Sequence, residues 1–172
     1  MKEKFVKFYT STVLNAAELS NGIRLQVGAL IVKDNAIISY GFNGTPSGRD
    51  NACENKVFMP PNSGGWVSPE EIEERYPYIG VNEETKKVQR YKLVTKDEVI
   101  HAEMNAILKV SASTNSTKDS TIFITHAPCV PCAKHIHAAG IKEVYYVNDY
   151  RDMSGVDLLK ELGVIVTKVN AN

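Results

Sequence analysis

An α/β layered sheet is the fold class this sequence predicts, and three observations predict it. In the C-terminal half, short apolar runs alternate with amphipathic stretches: TIFIT, PCAKHIHAAG, EVYYV, VDLLKEL and VIVTKV. That order is expected when parallel strands are joined by crossover helices. In the N-terminal half, LQVGALIVKDNAIISYGF reads as two strands joined at Lys33-Asp34-Asn35, a hairpin. Finally, 172 residues, 43% hydrophobic and 23% charged, suit one globular domain over 1–172 with a core of its own.

Each element has a local reason. Residues 2–20 set Phe5, Phe8, Tyr9, Val13, Ala16 and Ala17 at helical spacing, with Asn21-Gly22 as a stop signal. After the hairpin, from Gly44 to about Asp97, the pattern loosens and is punctuated by Pro46, Pro60, Pro61, Gly64, Gly65, Pro69 and Pro77. We expect an irregular insertion at about 49–98, containing one short helix with Ser68 as N-cap, Pro69 in the first turn, and Glu70 and Glu71 complementing the dipole. Connections of that length in compact domains are usually functional. Regularity returns with VIHAEMNAILKV, an amphipathic helix, and the strand TIFIT. PCAKHIHAAG is a helix that Gly140 closes, and EVYYV is a strand. VDLLKEL is a helix capped by Ser154 and stopped by Gly163, and VIVTKV is the last strand.

Charge and cysteine count narrow the partners. Twenty acidic residues balance twenty basic ones, so no global field attracts nucleic acid or an anionic membrane. Apolar runs such as GALIV fall far short of the roughly 18 residues that span a bilayer, and no signal or transit pattern is visible. The expectation is a cytoplasmic protein with neither nucleic-acid nor membrane partners. Three cysteines do not make a disulfide framework, and in a reducing compartment a CxxC points to metal or redox chemistry.

The densest chemistry lies in THAPCVPCAKHIH, residues 125–137. Pro131 fits a first helical turn because its missing N–H is not needed there, which puts Cys129 and Cys132 at a helix N-terminus. The positive end of the dipole lowers thiol pKa and favours the thiolate that binds metal. Thioredoxin-like proteins build CxxC the same way, so the cysteines alone leave metal and redox chemistry open. His135 shares a helical face with Cys132, while His137 points about 140° away from His135. A CxxCxxH set would spread over two turns, awkward for a tetrahedron with bonds of roughly 2 Å. His126 follows a strand end, where it could line a pocket.

Upstream stands His101-Ala102-Glu103. In mid-helix, positions i and i+2 point about 200° apart, so these side chains can address one metal only from a first turn, with His101 at the cap. A histidine there, facing two thiolates with a carboxylate beside it, makes a Cys2His zinc site with an open fourth position. That is a catalytic arrangement, because structural zinc closes all four positions.

HxE followed by PCxxC, here His101-Ala102-Glu103 and Pro128-Cys129-Val130-Pro131-Cys132, resembles the signature of the zinc-dependent nucleobase deaminases. VGALIVKDN, GFNGTPSG at 41–48, IHAEMNAI, GIKEVYYV and YRD are similar in order and spacing to deoxycytidylate deaminases over roughly residues 5–168. The resemblance implies a cytidine-deaminase-like three-layer α/β/α fold around a mixed sheet of about five strands. It also implies hydrolysis of dCMP to dUMP and ammonia, a step that supplies dTTP synthesis. One catalytic Zn2+ per subunit would be held by His101, Cys129 and Cys132, with Glu103 as general acid–base. Asn43, the Ala102 backbone N–H and Ala127 would meet sugar and base. Tyr150 and Arg151, at a strand end where open α/β sheets bind ligands, are candidates for the phosphate.

Similar enzymes are oligomers, commonly hexamers, switched on by dCTP and off by dTTP, with Mg2+ beside the effector. Gly44-Thr45-Pro46-Ser47-Gly48 offers converging backbone N–H groups and two hydroxyls, a nest suited to phosphates, with Arg24, Arg49 and Asn51 as further effector contacts. Many relatives carry a second, structural zinc. Here Asn21 to Arg24 and Tyr91 to Ile100 contain no Cys or His, which leaves Cys53 as a small packed thiol. The competing functions share parts of this pattern. A tRNA adenosine deaminase needs a basic surface that this neutral chain does not predict. Cytosine or guanine deaminases have no need of GFNGTPSG, and a structural-zinc or redox module leaves Glu103 unexplained.

Overall fold

The structure is a computed structural model and describes residues 1–60 and 68–171. Helix α1 (Glu3–Ala17) buries Tyr9, Thr10, Val13, Ala16 and Ala17 along one face. Strands β1 (Gly28–Lys33) and β2 (Ala36–Phe42) form the expected hairpin. Its loop residues Asp34 and Asn35 both have positive φ, 51° and 60°, the left-handed pair that a two-residue hairpin needs and that Asp and Asn tolerate. Then come β3 (Glu54–Phe58), α2 (Pro69–Arg75), β4 (Tyr78–Asn82), β5 (Lys87–Thr95), α3 (Ala102–Ser111), β6 (Thr121–His126), α4 (Val130–Ala138), β7 (Glu143–Asn148), α5 (Ser154–Glu161) and β8 (Ile165–Lys168).

Five strands in the order β2-β1-β6-β7-β8 form the central sheet. β1 pairs antiparallel with β2 and β6, while β6, β7 and β8 run parallel, so the sheet is mixed. Its middle strands are buried on both faces. Ala29, Ile31, Ile122, Ile124 and Val144 pack with Ala106 of α3, Ile136 of α4 and Leu159 of α5. Leu30, Val32 and Phe123 pack on the other side with Tyr9 and Val13 of α1. A fully buried aliphatic side chain stabilises by about 1.5–3 kcal/mol relative to exposure, so this two-sided burial holds the α/β/α stack together.

Close approach of α3 to β2 fixes where α3 begins. A Cβ on Gly41 would lie 2.3 Å from the Ala102 oxygen and 2.5 Å from the Ala106 nitrogen, so only glycine admits this contact. Asn105 Nδ2 donates to the Phe42 carbonyl at 2.9 Å and Ser39 Oγ to that of Ala106 at 2.8 Å.

The structure departs from the sequence expectation in three places. The insertion expected to be irregular contains an antiparallel sheet of order β3-β5-β4. Only Leu93 is buried in these strands, so no apolar alternation marks them. Cross-strand aromatic contacts replace a core, with the Tyr91 ring 5.4 Å from Phe58 and 5.3 Å from Tyr78. The short helix there is α2, and Ser68 closes a capping box with Glu71, as its sequence suggests. Pro61, Gly64 and Gly65, also counted as punctuation, lie outside the described residues. Helix α1 ends at Ala17, before Asn21-Gly22. At α5 the N-cap position is Met153, which makes no side-chain cap, and Ser154 is the first helical residue; Asp152 Oδ1, just outside the helix, accepts the Ser154 N–H at 2.9 Å and hydroxyl at 2.6 Å. Cys53 is a packed thiol, 1% exposed, and burial pushes its pKa up.

Candidate active site

The ends of β2, β6 and β7 and the start of β1 meet at one rim of the central sheet, where Gly28 lies opposite Phe42 and His126 opposite Asn148. Two helices begin there. His101 is the N-cap of α3 and Cys129 the N-cap of α4, both with extended backbone (ψ 152° and 164°), and Pro131 lies in the first turn of α4. His101 Nδ1 is 3.6 Å from Cys129 Sγ and 3.4 Å from Cys132 Sγ, and the donor atoms of all three lie within 4.8 Å of one another. A tetrahedral zinc with bonds of about 2.0–2.3 Å separates its ligands by roughly 3.3–3.8 Å. Both nitrogen–sulfur spacings fall in that range, and an imidazole with two sulfurs is a donor set zinc favours. His135 and His137 are exposed on α4 and stay out of this group.

The electrostatics follow from burial and sulfur–sulfur contact. A hydrogen bond from Cys132, aided by one from His101, overcomes burial and holds the Cys129 thiol down at about 4. The same bond to Cys129, together with burial and the nearby Glu103, pushes the Cys132 thiol up. Their contact thus drives the two thiols in opposite directions, and a dication bound by both would favour the thiolate at each. The His101 imidazole is raised by its bond to Cys129. Glu103 is 4% exposed, and burial raises its carboxyl above the ordinary range.

His101, Glu103 and Cys129 line a cleft of about 280 Å³, close to the smallest small-molecule sites, which begin at about 300 Å³. All five expected substrate contacts, Asn43, Ala102, Ala127, Tyr150 and Arg151, line it too. Ala102 opens α3, where the first N–H groups have no intrahelical acceptor. Ala127 N–H is engaged with the Asn148 carbonyl at 2.8 Å, so that donor is already used within the fold. Asn43 is partly spent on the fold: its Oδ1 accepts from Val27 N–H at 2.8 Å and its Nδ2 donates to the Leu25 carbonyl at 3.0 Å. One amide hydrogen remains. The Arg151 guanidinium lies 5.6 Å from the Tyr150 ring centre.

Arg24 sits in this cleft, although the sequence suggested it for an effector site. Glu54 accepts hydrogen bonds from the Ile23 and Arg24 N–H groups at 3.1 and 3.2 Å, and Arg24 Nη1 donates to Thr95 Oγ1 at 3.1 Å. Glu54 and Thr95 are therefore cleft residues that sequence reasoning missed. They reach Arg24 across 30 and 71 positions, and no local pattern signals such a contact. The effector-loop candidates lie elsewhere. Gly44 and Ile100 exchange backbone hydrogen bonds of 3.1 and 2.9 Å. Beyond that bridge Thr45 Oγ1 donates to the Asp50 carbonyl at 2.6 Å and Arg49 pairs with Glu98 at 3.0 Å. Ser47, Gly48 and Asn51 are exposed. Two of the expected phosphate donors, on Thr45 and Arg49, are thus engaged within the loop and its neck.

A family model described as the cytidine and deoxycytidylate deaminase zinc-binding region matches residues 3–148. Deoxycytidylate deaminase of Enterobacteria phage T4 is 32% identical over 177 residues, covering 92% of this chain and 89% of that one. ComE operon protein 2 of Bacillus subtilis (strain 168) is 32% identical over 147 residues, covering 85% of this chain and 61% of its own length. The crystal structure of dCMP deaminase from the cyanophage S-TIM5, in complex with dCMP and dUMP, is similar with a TM-score of 0.74 and 34% identity, over 98% of this chain and 99% of that one. A family model matched over residues 3–148, together with a relative 32% identical across 92% of this chain, means that the chain belongs to the cytidine and deoxycytidylate deaminase family.

Proposed function

We propose that this chain hydrolyses dCMP to dUMP and ammonia, acting through residues 1–172 as one deaminase domain. The observation that carries it is a buried carboxyl, Glu103, in the same small cleft as His101 and Cys129, two of the three clustered zinc-type donors, and not one of those donors itself. The names of the phage T4 relative and of the S-TIM5 complex support dCMP as the substrate. A zinc ion held by His101, Cys129 and Cys132 would supply Lewis-acid activation of water at neutral pH.

The remaining work falls to the chain's own groups. Glu103 takes a proton from the attacking water and delivers it to ring N3 as C4 is attacked, then takes the second proton from the new C4 hydroxyl and passes it to the amine, which leaves as ammonia while the C4 carbonyl forms. A carboxyl whose protonated form burial favours is suited both to accept and to return a proton. The Ala102 N–H holds the base carbonyl, Ala127 borders the ring, and the spare Asn43 amide hydrogen meets the sugar hydroxyl. Tyr150 and Arg151, with Arg24 across the cleft, receive the phosphate. Ammonia release from dCMP, deoxycytidine, cytosine and a tRNA anticodon loop tests the proposal. dCMP is expected to react fastest, and a higher kcat/KM on any of the others would replace it.

The same proposal covers assembly and control: a homo-oligomer, as a hexamer, activated by dCTP and inhibited by dTTP, with Mg2+ beside the effector at residues 44–51. The Gly44–Ile100 bridge supports it, since Ile100 precedes His101 and Gly44 follows Asn43. An effector acts only through different affinity for active and inactive assemblies. The expected dCMP saturation curve is sigmoidal alone, hyperbolic with dCTP and suppressed by dTTP. A hyperbola indifferent to both reduces the loop to a turn. A cytoplasmic setting belongs to the same proposal; among the described residues no helix is long and apolar enough to cross a membrane.

A further inference from the structure

We propose that His126 is a further substrate-binding residue, fixed by Thr125 as the neutral tautomer with its hydrogen on Nε2, and donating that hydrogen to a sugar–phosphate oxygen of the bound nucleotide. The inference rests on the cleft being a nucleotide site. It starts from a hydroxyl with nowhere else to send its hydrogen.

Thr125 is 1% exposed, and its Oγ1 accepts the Gly28 N–H at 3.1 Å. A buried hydroxyl also needs an acceptor for its own hydrogen. Among the described residues Thr125 Oγ1 has one other partner, His126 Nδ1 at 3.1 Å. A hydroxyl hydrogen pointed at Nδ1 requires that nitrogen to be the unprotonated one, so the neutral ring carries its hydrogen on Nε2. Burial also pushes the His126 pKa down, in keeping with a neutral ring.

Nε2 has no partner among the described residues, and the ring lines the cleft beside Ala127, Tyr150 and Arg151. His126 faces Asn148 across the β6–β7 pair, two positions before Tyr150, which places it towards the end assigned to the phosphate. Such a donor differs from Arg24 and Arg151 in carrying no charge. It gives direction to an oxygen that the two cations hold by charge.

The tautomer is read directly from long-range 1H–15N correlations of the imidazole in the zinc-loaded protein without substrate. The expected pattern is a protonated Nε2 and an unprotonated Nδ1 for His126, lost in T125V and regained in T125S. Kinetics read the contact. H126N places its amide near the Nδ1 position and should raise KM for dCMP roughly tenfold, the value of one hydrogen bond to a charged acceptor, with a smaller change in kcat. KM for deoxycytidine should move much less. H126Q, whose amide nitrogen reaches the Nε2 position, should recover most of the loss. An Nδ1–H tautomer in the wild-type protein, or H126N with an unchanged KM for dCMP, would overturn the proposal. Failure of the wild-type chain to turn over dCMP would instead refute the proposed function, and the tautomer measurement stands apart from it.

Discussion

Replacing Gly41 by alanine tests whether the chemistry depends on how closely α3 lies on β2. The new Cβ would meet the Ala102 oxygen at 2.3 Å, whereas ordinary contact begins at 3.4 Å, so α3 must retreat by 3.4 − 2.3 = 1.1 Å. Ala102 stands between His101 and Glu103, and both move with it. Overpacking of this kind costs about 1–3 kcal/mol. In a chain of this size 1 kcal/mol shifts the melting midpoint by about 2–4 °C, so Tm should fall by roughly 2–12 °C. The larger effect is on rate, since a 1 Å misplacement of reacting groups can lower turnover by about 10²-fold. The assay is kcat on dCMP with zinc content and Tm measured on the same preparation. Gly28→Ala is the comparison: its Cβ would lie 2.4 Å from the Val13 oxygen and 2.8 Å from the Ala17 nitrogen, crowding α1 on the opposite face. It should lose similar stability and far less rate. A Gly41→Ala protein with wild-type kcat, or equal rate losses in the two variants, would refute the idea that this helix contact sets the catalytic geometry.

Glu103→Gln should keep its zinc and bind dCMP, while kcat falls by about 10²- to 10⁴-fold, as single-turnover kinetics would show. Cys129→Ala and Cys132→Ala should each lose metal and activity, whereas His135→Ala keeps both; elemental analysis should give one zinc per chain. Removing zinc with a chelator should lower Tm, because binding at about a thousand times Kd stabilises the fold by roughly 4 kcal/mol. Arg24→Ala and Arg151→Ala should raise KM for dCMP and leave that for deoxycytidine nearly unchanged.

What was legible in the sequence was local. His101 and Cys129 could be placed at helix starts because a cap, a proline in the first turn and the following apolar spacing all act within a few residues. The hairpin turn was legible for the same reason, since Asp34-Asn35 lies between two apolar strands. The second sheet was not, because its strands bury a single side chain and carry no period that distinguishes strand from loop. Nor was the far wall of the cleft. Arg24 could not be placed in the cleft from its sequence neighbours, because its position depends on Glu54 and Thr95, contacts between that sheet and the 20–27 segment.

The two hydrogen bonds between Gly44 and Ile100 close a neck through which residues 45–99 leave and rejoin the main body. Asn43 lies on one side of that neck and His101 on the other, so the three clustered donors and Glu103 all belong to the chain outside the excursion. Lengthening a closed flexible loop is cheap, at about 0.6 kcal/mol per doubling. The turns that join its strands can therefore be lengthened with little strain on the reacting centre. Glu54, Thr95 and Val99 nevertheless project from the excursion into the cleft. Grafting a different excursion onto this neck would thus alter which nucleotide is admitted and leave the hydrolytic step itself in place, a practical route to re-targeting the enzyme.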